Sequence, residues 1–435
     1  MRQLFQNLKN GNIEVTEIPS PRLKPNHILI QTTQSLISAG TEKMLLEFGK
    51  ANLFDKARQQ PDKVRQVLEK VRTDGLLPTF DAVRAKLDTP LALGYCNVGR
   101  VIDIDERLGR ETGISPGDRV VNNGPHSEIV CIPKNLCAKI PEPVTDDEAV
   151  FTVIGSIALQ GIRLVAPEIG ENIVVMGLGL IGLMAVQLLM ANGCNVIGYD
   201  PDKSKCEIAK QFGADIIDIT RGQDAMDTVL SKTDQQGVDG VLITASTTSS
   251  DPIHQAASMC RKRGRIVLTG LTGLQLNRND FYEKELSFQV SCSYGPGRYD
   301  KTYEEKGIDY PFGYVRWTEQ RNFQTILNLL RKQRLNVLGL ITHRFSFDDA
   351  TSAYDLLYDP EQQYIGILLD YPSQTSINES GTVFTDLSSS PIEIGRTDES
   401  VIAGLIGAGG YTAQVLLPAM VKAGIHLKTI ASSGG

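Results

Sequence analysis

Over the first 150 residues, hydrophobic and polar positions alternate in short runs. EVTEI, HILIQTTQSLI, GRVIDI, DRVVN and EIVCI are bounded by Pro, Gly or Asn, which predicts strands joined by turns in an all-β or barrel-like unit. Between residues 42 and 88 the period changes. In KVRQVLEKV and FDAVRAKL the apolar positions recur at helical spacing, so a helical insertion is expected between two strands. After Asp146 strands and helices alternate. NIVVM, NVIGYD, ADIIDI, GVLITAS, GRIVLTG and LSFQVSC read as strands, with LIGLMAVQLLMAN, DKSKCEIAKQF, DAMDTVLSK and DPIHQAASMCRKR as the helices between the first five. That rhythm predicts an α/β unit with a doubly wound parallel sheet.

A helix at TEQRNFQTILNLLRKQ, a strand at LITHRFSF, a helix at DDATSAYDLLYD and a strand at YIGILLDY follow, ending near Tyr371. Residues 372–400, rich in Ser, Thr and Pro without periodicity, read as a linker. Residues 401–435 then give a second strand–helix–strand. One such unit is too small to bury a sheet, so it reads as the truncated beginning of a second Rossmann domain, with a small docked appendage as the other reading.

Charge and cysteine content narrow the classes. The chain carries 51 acidic against 44 basic residues, net −7, which argues against a nucleic-acid or membrane partner. Its seven cysteines are scattered without a C-x-x-C pair, as expected of reduced thiols. The N-terminus lacks the apolar core of a signal peptide and no apolar run reads as membrane-spanning, so a cytoplasmic protein is expected.

The clearest chemistry lies in MGLGLIG. Gly177 permits a tight turn, Gly179 lets a pyrophosphate approach, and Gly182 lets strand and helix pack, while Leu180 and Ile181 open a helix whose free N–H groups face the phosphates. The next strand ends in Asp200, near the ~20-residue offset of an acid that binds a ribose 2′-hydroxyl. NAD is therefore expected, with NADP as the alternative if Lys205 or Lys203 receives a 2′-phosphate.

These features, with LGYCNVGRV, SPGDRVV, YDPDKSKCEIAKQFGAD, GRIVLTG and LITHRFSFDDATSAY, resemble the medium-chain dehydrogenase/reductase family (alcohol dehydrogenase-like) across roughly residues 1–371. The resemblance implies a GroES-like β-barrel over 1–150, a Rossmann NAD-binding domain over 151–317, and elements of 318–371 folding back on the barrel. It implies an active site between barrel and nucleotide-binding domain, Arg344 at the cofactor, and a homodimer or higher homo-oligomer. Zinc-bearing members have Cys-Gly-Thr-Asp where this chain has Ala39-Gly40-Thr41-Glu42, and Gly-His-Glu where it has Gly94-Tyr95-Cys96. A zinc site needs about three ligands from Cys, His, Asp and Glu, so no catalytic zinc is expected. Thr41 matches a hydroxyl position that relays a proton in the family, Tyr95 puts a phenol where the zinc histidine stood, and Glu42 could orient either. Tyr95 reads equally as a pocket wall, and His126 is a weaker base candidate, since a lone loop histidine is usually solvated.

The tail, VIAGLIGAGGYTAQVLLPAM, resembles the start of the glucose–fructose oxidoreductase/inositol dehydrogenase (Gfo/Idh/MocA) family. Gly407 and Gly409 would form its nucleotide loop, Thr412 takes the third glycine's place, and the second strand ends in Ser432-Ser433 rather than an acid. Fusions of the two families resemble bi-domain bacterial oxidoreductases associated with surface polysaccharide synthesis.

Ser293 to Asn322 concentrates Tyr294, Arg298, Tyr314, Arg316 and Trp317, the one tryptophan. Aromatic faces and arginines suit a sugar or nucleotide-sugar substrate, and a surface or subunit-contact loop held by its own aromatics is the other reading. Three functions follow: a zinc-independent NAD(P)(H) oxidoreductase on a sugar derivative, a quinone- or enoyl-type reductase, or a non-catalytic nucleotide-binding regulatory protein.

Overall fold

NIVVM, Asn172–Met176, is apolar after its first residue and buried on both faces, as an interior parallel strand must be. In the computed structural model it lies within a six-stranded sheet. The order is Asp215–Ile217, Asn195–Tyr199, Asn172–Met176, Val238–Ile243, Cys260–Leu268 and Ser287–Val290, every pair parallel. The described residues are all but 9, 51–89, 218–223, 360–361, 373–400, 410 and 432–435. Most of the expected 42–88 insertion and of the 372–400 linker therefore falls outside them; the insertion's start is the helix Ala39–Lys50.

The chain divides into two compact units, 1–22 with 44–93 and 374–435, and 23–43 with 94–373. The first contains a small antiparallel sheet of Ile13–Glu17, Arg2–Gln6 and Leu91–Ala92, and a parallel pair, Ile402–Ile406 with His426–Ala431. The second holds the parallel sheet and a seven-stranded sheet. Strands Ile341–Ser346 and Gly366–Asp370 enter the latter beside His27–Ile37, which pairs in turn with Asn97–Ile104 and Ile129–Pro133. The fold is thus the α/β arrangement of a GroES-like unit joined to a Rossmann sheet.

A long helix that the hydrophobic pattern does not announce links the two sheets. TVIGSIALQGIRLV, Thr152–Val165, is buried on nearly every face, and its small and polar positions Gly155, Ser156, Gln160 and Gly161 lie in the core with the apolar ones. With the turn before it, Asp146–Val165 forms a 20-residue helical run long and apolar enough to cross a membrane, contrary to the expectation of no such run. It is core instead: Ile154, Ala158 and Ile162 pack with Met184, Leu242 and Ile326. The opposite case is Glu319–Arg331, where Phe323, Ile326, Leu327 and Leu330 form one buried stripe at helical spacing. The predicted helix over DPIHQAASMCRKR is too long. It ends at Met259, because Cys260 is extended and pairs with Val238.

Candidate active site

Helix Ala39–Lys50 begins at the end of the long strand His27–Ile37, and its first turn carries Thr41 and Glu42 inward. Tyr95 donates its hydroxyl proton to Ser38 Oγ at 2.6 Å and lies 3.2 Å from Thr41 Oγ1, so three hydroxyls stand in line. Burial, then the neighbouring Cys96 and Glu42, push the Tyr95 phenol well above its usual range, and it stays protonated.

Glu42 is fully buried. One carboxylate oxygen accepts the Ser38 N–H at 2.9 Å, and the other accepts the Tyr354 hydroxyl and faces His126 Nε2 at 3.3 Å. His126 is buried too, and its Nδ1 lies 2.7 Å from Ser35 Oγ, which is 2.9 Å from the Tyr371 hydroxyl. The loop that carries His126 is held by amides. Asn97 binds Thr32 Oγ1 at 2.9 Å, and Asn122 binds Asn97 at 3.1 Å while accepting the Gly124 N–H at 2.7 Å. His126 is thus no solvated loop residue. Gly94 makes room for it: at φ 90° a Cβ there would lie 2.6 Å from the imidazole ring. The first glycine of LGYCNVGR serves a histidine 32 residues downstream.

Two of the donors a zinc ion would need are missing or engaged: Ala39 offers no ligand, and the Glu42 carboxylate already accepts the Ser38 N–H and the Tyr354 hydroxyl and faces His126. Among the described residues no three His, Cys, Asp or Glu side chains are placed to hold a metal ion.

A dinucleotide does fit the glycine loop. A Cβ on Gly177 (φ 95°) would lie 2.6 Å from the Ala245 N–H nitrogen, and one on Gly182 would collide with the Gly177 carbonyl. Around Gly179, by contrast, nothing stands within 4 Å of that position, leaving open the space a pyrophosphate would take. Leu180 and Ile181 start the helix Leu180–Ala191, which has no side-chain cap, so its N–H groups remain for an anion. Asp200, buried at the end of its strand, accepts the Leu178 N–H at 2.7 Å and the Asp202 N–H at 2.8 Å, tying the acid to the loop itself.

The remaining sequence candidates are scattered. Lys205 pairs with Asp202 at 3.4 Å. Arg344 is committed to Asp147 at 2.7 Å and Asp370 at 2.9 Å. Tyr294 is buried and receives the Asn123 amide at 3.0 Å, while Arg298 is paired with Glu304 at 2.6 Å; both brace their loop from inside. Tyr314 is 91% exposed. Arg316 and Trp317 are stacked, with the guanidinium carbon 3.7 Å from the ring centroid. Gly407, at φ 93°, follows the strand Ile402–Ile406 in the separate unit, and Cβ positions on it and on Gly409 are unobstructed. Sequence reasoning missed Ser35, Ser38, Tyr354 and Tyr371, whose only signal is that each lies on or beside a strand end or helix near the predicted acid.

A protein-family profile described as zinc-binding dehydrogenase matches residues 181–310, a span that leaves out Glu42, Cys96 and His126. D-guloside 3-dehydrogenase of Escherichia coli is 29% identical over 282 residues, 62% of this chain and 75% of that protein. D-xylulose reductase of Saccharomyces cerevisiae is 26% identical over 305 residues, 62% and 78% of the two chains. Among solved structures, alcohol dehydrogenase TADH from Thermus sp. ATN1 superposes with a TM-score of 0.63 at 20% identity, covering 86% of this chain and all of that one.

Proposed function

We propose that this chain, an NAD(P)-dependent dehydrogenase of the medium-chain family, interconverts a hydroxyl and a carbonyl on a sugar or nucleotide sugar without catalytic zinc. The bound nicotinamide would exchange a hydride with the substrate carbon. Gly177, Gly179, Leu180, Ile181 and Gly182 would hold its pyrophosphate. Asp200 would accept from the ribose hydroxyls, which favours NAD over NADP. The observation that carries the reading is the hydroxyl line Thr41–Tyr95–Ser38 where the family places a metal ligand.

What remains is the proton at the reacting oxygen. Tyr95 keeps its proton across the neutral range, so it donates a hydrogen bond to a developing alkoxide and is a poor base. Rotation of the O–H bonds of Thr41, Tyr95 and Ser38 lets the line offer either a donor or an acceptor to the substrate oxygen, without itself gaining or losing a proton. Glu42 holds the Ser38 backbone, His126 and Tyr354 hold Glu42, and Ser35, itself bonded to Tyr371, holds His126. Both relatives quoted above bear carbohydrate names, which supports a sugar substrate, as does the segment with Tyr314, Arg316 and Trp317, while Tyr294 and Arg298 brace the loop that carries them. The parallel pair at 402–431, with Gly407 and Gly409 after its first strand, is read as Gfo/Idh/MocA-like, and the fusion as serving surface polysaccharide synthesis.

The test is a turnover panel of sugars and nucleotide sugars with Tyr95→Phe and Thr41→Val. Each variant is expected to lose about 100-fold in kcat, the usual weight of acid–base assistance, with NADH affinity unchanged. Full turnover in Tyr95→Phe would remove the hydroxyl line from the mechanism. NADH binding with no turnover of the parent protein on any substrate would favour the regulatory reading.

A further inference from the structure

Trp317 lies between two cations. The guanidinium carbon of Arg163 is 3.5 Å from its ring centroid and that of Arg316 is 3.7 Å, so close that the two must occupy opposite faces. The stack continues through Phe312, 4.6 Å from Arg316 and 5.1 Å from Arg321. Of the three arginines only Arg321 has a carboxylate, Asp309. Arg163 gives its Nε–H to Asn322 Oδ1 at 2.9 Å, and among the described residues neither Arg163 nor Arg316 forms an ion pair.

Surface arginines usually find an acid, and two like charges across one ring repel each other. Here Arg163 is half-buried, and that burial together with the Arg316 charge pulls its pKa down to about 10. Its stem rises from the packed helix Thr152–Val165, and Asn322, which fixes its Nε, is itself tied to the Tyr294 carbonyl at 2.8 Å. Two planar forks are thereby pre-positioned with most of their N–H donors unused. Such an arrangement complements an anion.

We propose that Arg163 and Arg316, clamped on Trp317, form a binding site for the phosphoryl or carboxylate group of a small anionic ligand. This rests on the reading of residues 293–322 as a substrate segment and adds that the sugar carries negative charge there. Arg163 comes from a different part of the chain, so the site exists only in the folded protein.

Trp317, as the single tryptophan, reports directly on the site. The full chain is titrated with inorganic phosphate and, separately, with D-glucuronate, chloride holding the ionic strength constant, while tryptophan emission is followed. A saturable change with either anion is expected, the tighter arm identifying phosphoryl or carboxylate as the natural group. Because charge-assisted bonds carry the binding, Arg316→Gln and Arg163→Gln should each weaken it by about tenfold or more, and Arg316→Lys by less. Arg316 is exposed, so its variants test the site without disturbing the core, and NADH binding in the same samples checks the fold. Flat titrations with both anions, or an unchanged titration in Arg316→Gln, would overturn the proposal. Saturable binding without turnover of any sugar would keep the anion site and remove the sugar reading. Turnover of neutral sugars with flat titrations would do the reverse.

Discussion

Among the described residues Glu319 forms no ion pair, yet it is fully buried at the first turn of Glu319–Arg331 with neither carboxylate oxygen hydrogen-bonded. Burial, then the nearby Glu304 charge, push its pKa up to about 9 against the pull of Arg298. The native state therefore holds a proton that the unfolded chain gives up near its ordinary 4.5. The resulting stability is complete below about 4.5 and is lost as pH rises through about 9. Glu319→Gln should leave melting near pH 4.5 unchanged and raise Tm at pH 9 by roughly 2–5 °C. Parallel Tm-against-pH curves for parent and variant would show that Glu319 ionises normally. Such residues are not legible in a sequence. Glu319 stands among Glu304, Arg316 and Arg321 like any charge in a solvated loop, and His126 reads as a loop histidine until Gly94, Ser35 and Glu42 close around it. Thr41, Tyr95 and Glu42 could be read because they occupy a motif's outline; the structure joins Thr41 to Tyr95, whereas the Glu42 side chain bonds neither of them and binds the Ser38 backbone, Tyr354 and His126 instead.

Among elements, the glycine loop was legible and the helix Thr152–Val165 was not, for one physical reason. A loop that needs φ > 0 and close backbone approach restricts residue type position by position, whereas a helix buried all round takes small and polar residues such as Gly155, Ser156, Gln160 and Gly161 into the core, where they read like a turn. The same gap hid Arg163 and its contact with Trp317. The two central glycines separate packing from binding. Gly177→Ala meets the Ala245 backbone in a strained conformation and should lower Tm; Gly179→Ala meets no protein atom and should leave Tm unchanged. The second variant should nonetheless weaken NADH binding by about tenfold or more, since its methyl enters the space left for pyrophosphate. Equal NADH affinity in parent and Gly179→Ala, by calorimetry, would place the dinucleotide elsewhere.

At the scale of the molecule, one unit contains both halves of the chemistry, the glycine loop of the parallel sheet and the buried network of the seven-stranded sheet. The alternation of strand and helix after Asp146 made the first sheet readable. The second draws strands from residues 27–139 and 341–370, a pairing that no local pattern encodes. Fold and chemistry meet at one proposal, that the hydroxyl line Thr41–Tyr95–Ser38 serves the reacting oxygen without zinc. Native mass spectrometry of the protein, purified with neither metal nor chelator and supplied with NADH and equimolar zinc, tests this most directly. One dinucleotide per chain, with no zinc retained after desalting, is expected. One zinc per chain, lost on substitution of Cys96 or Glu42, would contradict it.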